Sequence, residues 1–349
     1  MLKFILFLIS FLIGLTVFGF ITSSIGIDEI VRAFSSFSAE GLLIILALSL
    51  LIAVVGIWRL KFILKTQGYS LSFWKIAEIW FGGFVISYFT PIAIFGGEVF
   101  MIYAIRKALS VSWEKSSAAV FIHRVLDATI FFPFLILGLF AFPFLAGNFP
   151  KTKVIIAGSV VASIIIFLLV VFYIKTFRKK SALEWLLKPF GLNRKKLKDK
   201  KGGALILGAE QEIVSFFGLR KKQMWQGLLI SGLKYILILL RCMVLIYLFG
   251  GGWSLLKSLS AYGFFNLATL VPVPAMLGSL EVAESLVFSG IGMGANIGIA
   301  FSFVLRGMDI LFSLIGFLLL IKVGMKLIKI KVLEFIDKVV SNKSSLFFS

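Results

Sequence analysis

The chain alternates long apolar runs with short polar intervals that carry most of its charged residues. A run of about 20 apolar residues is long enough to cross the hydrocarbon core of a bilayer as one helix. Six such runs are predicted to be full transmembrane helices. They cover about Leu2–Thr22, Gly41–Leu64, Ser116–Phe144, Val154–Tyr173, Trp225–Phe249 and Ala295–Ile321. The pattern therefore predicts an all-α polytopic membrane protein.

Four shorter apolar runs come in two pairs, and each pair is interrupted by proline and glycine. The first pair comprises Ile76–Phe89 and Gly97–Leu109, and its tip contains Pro91, Gly96 and Gly97. A run of about 13 residues is too short to span the bilayer alone. Each pair is therefore predicted to form a re-entrant hairpin, whose irregular tip must be buried in protein or line a wet cavity.

The second pair comprises Leu255–Val271 and Ala275–Ser289, and its tip contains Pro272, Pro274 and Gly278. The chain is thus expected to contain six full spans and two re-entrant hairpins. Interrupted hydrophobic segments at matching positions in two halves of a chain are typical of transporter-like sites between repeats.

Lysine and arginine residues crowd the ends of the apolar runs and predict how the chain crosses the membrane. The positive-inside rule places the basic end of the second span, at Arg59 and Lys65, and the basic interval 176–223 in the cytoplasm. Both termini are then cytoplasmic, and a plasma-membrane location is expected. Within the basic interval, Leu183–Phe190 and Ala204–Phe217 are amphipathic and are expected to lie along the interface.

This topology turns the two hairpins in opposite directions. The first hairpin opens toward the cytoplasm and the span after it runs outward, whereas the second opens outward and its span runs inward. The chain is therefore expected to be one domain of two inverted-topology repeats, at about 41–145 and 225–321, with a site near the bilayer midplane.

The two repeats carry charged residues at matching positions, and ionisable groups at membrane depth are candidates for function. Aligning Pro91 with Pro274 places Glu98 on Glu281. The same alignment brings the Arg-x-x-Asp sequences of the two repeats within one residue of each other. These sequences are Arg124 with Asp127 and Arg306 with Asp309.

Three hairpin glutamates are candidate ligands, because a charged carboxylate at membrane depth is costly without a partner. Glu98, Glu281 and Glu284 are predicted to bind a cation, a proton or a polar headgroup. Alternatively, each carboxylate caps a short helix or pairs with a nearby arginine and so holds its hairpin in place.

The arginine and the aspartate of each Arg-x-x-Asp sequence share one helix face. Arg124 and Arg306 are suited to bind a lipid phosphate, since guanidinium can bind it through two hydrogen bonds. Alternatively, Asp127 and Asp309 form intrahelical ion pairs with these arginines. Arg241 has no carboxylate at helical spacing, so its partner must come from another element or from the substrate.

Three other ionisable residues have ordinary explanations. His123 is the only histidine; a functional group that titrates near neutral pH is one interpretation, and a side chain hydrogen-bonded within the protein is the expected one. Arg59 and Arg106 lie at predicted cytoplasmic ends of apolar runs, where long side chains extend to the headgroups.

Composition excludes several classes of protein. The chain has 349 residues, is 60% hydrophobic and has a mean hydropathy of +1.06, so no sizeable water-soluble domain remains. The net charge of +20 lies at the ends of apolar runs, which argues against nucleic-acid binding. With the single cysteine Cys242 there is no disulfide framework, and no metal-ligand cluster, nucleotide-binding loop or hydrolase motif appears. We therefore expect no cofactor and no metal, and we assign no catalytic residue.

The hairpin motifs resemble the lysylphosphatidylglycerol synthase transmembrane family, which is also described as flippase-like. The resemblance covers about residues 5–325. It rests on Pro91 with Gly96-Gly97-Glu98, on Arg124-x-x-Asp127, on Pro274-x-x-x-Gly278-x-x-Glu281 and on Trp58-Arg59. The chain departs from the family at Pro274-Ala275-Met276, where Pro-Gly-Gly is common, and this predicts a less flexible tip.

The resemblance implies a lipid-translocating unit similar to the flippase half of the multiple peptide resistance factor, which moves aminoacylated phosphatidylglycerol. In that protein a separate cytosolic domain performs the lysyl transfer, and this sequence contains no counterpart of it. The expected partner is a membrane lipid with an anionic or modified phosphate headgroup, or a lipid-linked sugar. A separate synthase and a homo-oligomer are both compatible with the sequence.

Three functions are therefore open at the level of sequence. The first is a lipid or glycolipid flippase whose headgroup enters a polar cleft between the hairpins. The second is a membrane-embedded lipid transferase, or its subunit, with Glu98 as general base. The third is a scaffold without transport activity that presents its basic loop to a lipid-modifying enzyme.

Overall fold

The computed structural model describes Thr16, Asp28 and residues 38–90, 96–146, 151–178, 203–218 and 220–346, with side chains outside 151–162, 165 and 322–346. Across these residues the chain forms ten α-helices and one 3₁₀ turn, and it contains no strand. The helices are α1 (Ala39–Thr66), α2 (Phe73–Phe89), α3 (Glu98–Leu109), α4 (Trp113–Leu145), α5 (Lys151–Phe177), α6 (Gly203–Phe216), α7 (Lys222–Leu248), α8 (Leu255–Leu270), α9 (Ser279–Gly290) and α10 (Ala295–Leu346). The 3₁₀ turn, Pro274–Met276, lies between α8 and α9.

Four helices are long and apolar enough to cross a bilayer, namely α1, α4, α7 and the segment Ala295–Ile321 of α10. The chain is therefore an integral membrane protein, as its apolar runs predict. Helix α5 covers the predicted span Val154–Tyr173. The predicted span Leu2–Thr22, the amphipathic piece Leu183–Phe190 and the tip residue Pro91 lie outside the described residues.

Serine side chains mark the starts of several helices. The Ser38 hydroxyl accepts a hydrogen bond from the amide three residues later at 3.0 Å, and Ser72 and Ser112 cap α2 and α4 in the same way. The end of α10 differs from prediction, because this helix continues past Ile321 to Leu346. The apolar run ends near Ile321, but the lysines, leucines and isoleucines that follow still favour a helix.

Helices α2 and α3 pack side by side in antiparallel directions. Gly83 of α2 faces Met101 of α3, and at the turn the Gly97 amide donates a hydrogen bond to the Ser87 hydroxyl at 2.9 Å. A Cβ at Gly97 would overlap the Gly83 carbonyl oxygen. The close approach of the two helices therefore requires glycine at this position.

The turn between α8 and α9 has an unusual backbone. Ala275 and Met276 have φ values of 52° and 54°, and Gly278 has a φ of 76°. These values fall in the left-handed region that favours glycine. Alanine and methionine thus adopt the glycine-like conformation at the two positions where the chain departs from Pro-Gly-Gly.

The two halves of the chain are interleaved. Helices α1 and α7 pack antiparallel, so that Gly41 at the start of α1 meets Leu248 at the end of α7. Helix α8 packs against α4, where Gly138 and Gly263 meet backbone to backbone. Helix α2 packs against α10, where Gly316 contacts the α2 backbone. Helices α2 and α8 each rest on a span of the other half, whereas α3 and α9 rest on the span that follows them.

A small apolar cluster joins the two interrupted segments. Tyr88 at the end of α2 packs with Ala268, Met276 and Leu280 around the turn between α8 and α9. The end of α2 therefore lies against the turn between α8 and α9.

Candidate functional site

Arg59 lies at the centre of a buried group that we call the first polar cluster, which comprises Arg59, His123, Asp127, Ser231 and Lys234. Its side chain is only 1% exposed. The guanidinium donates to Asp127 Oδ1 at 2.7 Å and to Ser231 Oγ at 3.1 Å. It also lies against the imidazole, with Nε 3.3 Å from His123 Nδ1. Three long helices, α1, α4 and α7, supply these side chains.

Asp127 is shared between two cations. Lys234 Nζ donates to the same Oδ1 atom, at 3.0 Å, that accepts the hydrogen bond from Arg59. The Asp127 and Lys234 side chains are 17% and 16% exposed, so this side of the cluster is more open than the side at Arg59. A single carboxylate therefore holds two positive charges that come from different helices.

A second ion pair lies beside the first polar cluster. Arg124 Nη2 on α4 pairs with Glu98 Oε1, at the first residue of α3. The Arg124 side chain is 35% exposed, and the positive charge of Arg124 acts on both Asp127 and Lys234. The pair joins α3 to α4, and the Arg124 side chain stays partly exposed.

The turn between α8 and α9 is held by what we call the second polar cluster, which comprises Ala275, Met276, Gly278, Glu281 and Arg306. Arg306 donates to Glu281 Oε1 from Nη2 at 2.5 Å and from Nε at 3.1 Å. It also donates to the carbonyl oxygens of Ala275 and Met276 at 2.6 and 3.3 Å. The other Glu281 oxygen accepts the Gly278 amide at 2.9 Å, which caps the start of α9.

The second polar cluster is closed and touches the first half of the chain. Glu281 is fully buried, and the Arg306 side chain is 10% exposed. The Tyr88 hydroxyl at the end of α2 is hydrogen-bonded to Arg306. Because Arg306 is engaged by a carboxylate, two carbonyls and a hydroxyl, its donors are largely used within the protein.

Three further charged residues lie near the second polar cluster. Arg241 on α7 donates to Ser49 Oγ on α1 at 3.1 Å, and its charge acts on Asp309 together with that of Arg306. Glu284 is fully buried, and neither of its carboxylate oxygens has a hydrogen-bond partner among the described residues. The region therefore contains both engaged and unsatisfied polar groups.

Comparison with known proteins places the chain in a family. The profile of the lysylphosphatidylglycerol synthase TM region matches residues 7–316. The chain belongs to this family. That membership confirms the resemblance that the hairpin motifs predict.

Two relatives of this family protein are archaeal. UPF0104 membrane protein MJ1595 of Methanocaldococcus jannaschii is 33% identical over 138 residues, which cover 39% of this chain and 40% of that protein. UPF0104 membrane protein PH1989 of Pyrococcus horikoshii is 27% identical over 267 residues, which cover 72% of this chain and 77% of that protein. The first match thus spans less than half of either protein.

In this family member the predicted site residues form tertiary pairs rather than pairs within one helix. Arg124 pairs with Glu98, and Asp127 pairs with Arg59 and Lys234, so an Arg124–Asp127 intrahelical pair is not formed. Likewise, Arg306 pairs with Glu281. Each arginine therefore pairs with the glutamate near the start of α3 or α9, and not with the aspartate three residues later on its own helix.

The ordinary explanation of Arg59 as a headgroup contact is wrong. Helix α1 continues to Thr66, and α4 and α7 cover Arg59, which leaves it at the centre of a cluster. His123 is hydrogen-bonded within the protein, as expected. Pro274 begins the 3₁₀ turn and is buried, whereas Pro272 is exposed.

The sequence patterns also miss Lys234, Ser231 and Ser49. A lysine within the apolar run of α7 is the signal that could have identified Lys234. The serines have no signal of their own, because only the packing of α1 against α7 brings them to the arginines. Among the described residues, no group of three His, Cys, Asp or Glu side chains could hold a metal ion.

Proposed function

We propose that the protein moves a lipid with a polar headgroup between the leaflets of the plasma membrane, and that it does so with two inverted-topology repeats. The tails would remain in the bilayer while the headgroup passes between the polar clusters. In this proposal the α2–α3 and α8–α9 pairs are re-entrant hairpins and both termini are cytoplasmic. A separate synthase would supply the lipid.

The observation that carries the proposal is a reciprocal contact between α1 and α7. Arg59 of α1 donates to Ser231 of α7, and Arg241 of α7 donates to Ser49 of α1. Ser231 follows Ser49 by 182 positions, and Arg241 follows Arg59 by the same interval. Equivalent residues therefore make equivalent contacts across two antiparallel helices, which is what a two-fold axis between inverted repeats produces.

The same interval relates the two Arg-x-x-Asp sequences. Asp309 follows Asp127 by 182 positions, and Arg306 follows Arg124 by the same number. Each of these arginines pairs with the glutamate near the start of the preceding short helix. Helix α2 packs on α10 of the second half, and α8 packs on α4 of the first half. This reciprocal packing of whole helices also supports two inverted repeats.

The two arginine–serine contacts lie at different depths along α1. Arg59 and Ser49 are ten residues apart on this helix, so the two contacts are separated by about 15 Å along its axis. The two arginines, Arg59 and Arg241, also differ in their ion pairing. Arg59 is bound to Asp127, whereas no ion pair within 4.0 Å joins Arg241 to Asp309 in the described part of the chain. An alternating cycle would exchange these two arrangements and so open the headgroup path first to one leaflet and then to the other.

The proposal is tested by lipid movement in liposomes that contain the purified protein and a trace of fluorescent phosphatidylglycerol. Dithionite destroys outer-leaflet fluorophore, so movement between leaflets accelerates the later loss of signal. We expect the protein to accelerate it and Glu98→Gln to abolish the acceleration. Glu78→Gln is the matched control, since Glu78 lies on α2 in a partly exposed pair with Lys75.

Two outcomes would contradict the proposal. The first is a Glu98→Gln protein that inserts normally and still moves lipid at the wild-type rate. The second is no acceleration by the wild-type protein with any headgroup, which would favour the transferase or the scaffold. Conversion of a lipid by the pure protein would then separate those two.

A further inference from the structure

Lys234 has no counterpart in the first half of the chain. The interval that relates Arg59 to Arg241 places Ile52 at the equivalent position of α1. Ile52 is buried and apolar, whereas Lys234 brings a charge into the first polar cluster. A charge inside a membrane protein is costly, so an unmatched lysine requires a specific explanation.

The charges around Lys234 do not balance. Three cations, Arg59, Arg124 and Lys234, face two carboxylates, Glu98 and Asp127. His123 adds no charge when its Nδ1 accepts the hydrogen bond from Arg59 Nε, because only neutral imidazole has an acceptor. The cluster and its neighbouring ion pair therefore carry one surplus positive charge.

The surplus charge lies on the open side of the cluster. Arg59 is 1% exposed and contacts Asp127, but Lys234 is 16% exposed and Arg124 is 35% exposed. Lys234 has three N–H donors, and one of them is used on Asp127. Arg124 Nε is buried and has no hydrogen-bond partner among the described residues. Two partly exposed cations, on α4 and α7, thus keep N–H donors that no described protein group accepts.

We propose that Lys234 and Arg124 bind the phosphodiester group of a phospholipid, with Arg59 as a positioning residue that holds Asp127. A phosphodiester carries one negative charge, which neutralises the surplus, and its oxygens accept hydrogen bonds from both ammonium and guanidinium. The inference rests on the proposed function and adds Lys234 to Arg124 as a residue that holds the headgroup phosphate. Arg306 is no equivalent site, since Glu281 and two carbonyls occupy its donors.

The experiment measures equilibrium binding in neutral detergent by titration calorimetry. The probes are short-chain phosphatidylglycerol, diacylglycerol of the same chain length, and inorganic phosphate. Lys234→Met is expected to weaken phosphatidylglycerol binding about tenfold or more, the effect of losing one charged hydrogen bond. Lys234→Arg is expected to retain binding. Lys61→Met is the matched control, because Lys61 lies on α1 outside the cluster.

Stability separates ligand binding from a structural ion pair. Without lipid, Lys234→Met should leave the melting temperature unchanged or raise it, because Arg59 still neutralises Asp127. Unchanged phosphatidylglycerol affinity in Lys234→Met would overturn the proposal. Diacylglycerol binding as tightly as phosphatidylglycerol would also overturn it, and tighter binding of inorganic phosphate would assign the site to a soluble anion. Lys234-dependent binding without lipid movement would retain this site and contradict translocation.

Discussion

Arg306 and Glu281 are 25 residues apart in the chain, yet two guanidinium nitrogens of Arg306 donate to a single oxygen of Glu281. The same arginine holds two carbonyl groups of the turn between α8 and α9. This ion pair therefore fixes the turn, the start of α9 and the membrane-spanning part of α10 to one another.

Glu281→Gln should destabilise the protein strongly. The substitution leaves Arg306 buried without a negative partner, and breaking a buried ion pair typically costs about 3–5 kcal/mol. Thermal unfolding in neutral detergent measures the change. Glu284→Gln is the control on the same helix, because neither Glu284 oxygen has a hydrogen-bond partner among the described residues. Equal destabilisation by the two variants would contradict the role given to the Arg306–Glu281 pair.

Asp127→Asn and Lys234→Met should not have additive effects on stability. Asp127→Asn leaves Arg59 and Lys234 facing each other without a carboxylate, whereas the double variant removes one of those cations. We expect the double variant to recover part of the lost stability, with a coupling energy of roughly 0.5–3 kcal/mol. Melting temperatures of the four proteins in the double-mutant cycle supply the test. Additive changes would mean that the two residues act independently.

Gly138→Ala should weaken the packing of α4 against α8. A Cβ at Gly138 would clash with the Leu259 carbonyl oxygen and with the Gly263 backbone, and such overpacking typically costs about 1–3 kcal/mol. Gly232→Ala is the matched control within α7, since a Cβ there meets no atom within 4 Å. Its melting temperature should stay the same or rise, because alanine favours a helix. A Gly138→Ala protein as stable as Gly232→Ala would contradict the observed packing.

Cysteines at positions 41 and 248 should be joined by a short thiol-reactive linker. In the antiparallel arrangement a Cβ at Gly41 lies 3.0 Å from the Leu248 side chain, so the two thiols would be neighbours. The background is Cys242→Ala, which removes the native thiol. A 41/224 pair is the control, because Met224 lies at the opposite end of α7. Linking of the control pair instead would indicate parallel packing of α1 and α7.

Most of the helices can be predicted from the apolar runs in the sequence, because an apolar run long enough to span the bilayer must satisfy its backbone hydrogen bonds internally as a helix. The sequence match of Glu98 with Glu281, 183 positions apart, also points to two glutamates that each pair with an arginine of the following helix. A search for arginines about 183 residues apart would have paired Arg59 with Arg241, which are 182 residues apart. The ordinary explanation of Arg59 fails because proximity to the end of an apolar run does not show which helices cover a side chain.

Ion pairing is where sequence reasoning is weakest. Helical spacing predicts that Asp127 pairs with Arg124 on the same helix. Instead, Asp127 forms ion pairs with Arg59 of α1 and Lys234 of α7. Arg59 and Lys234 are 68 and 107 residues away from Asp127 in the chain, so no local sequence pattern predicts these two ion pairs. Because Arg59 is deeply buried, its charge requires a negative partner more than the charge of an exposed arginine does.

The interleaved packing has a consequence for how the chain is made. Helix α8 finds its partner, α4, already in the membrane when it is synthesised, whereas α2 must wait for α10 until nearly the whole chain has left the ribosome. During that interval α1 and α3 cover two faces of α2, but the face that will contact Gly316 of α10 has only lipid, chaperone or insertase to contact. Truncation within the second half would therefore expose the first half to misassembly and degradation, even though every residue of the first half would be present.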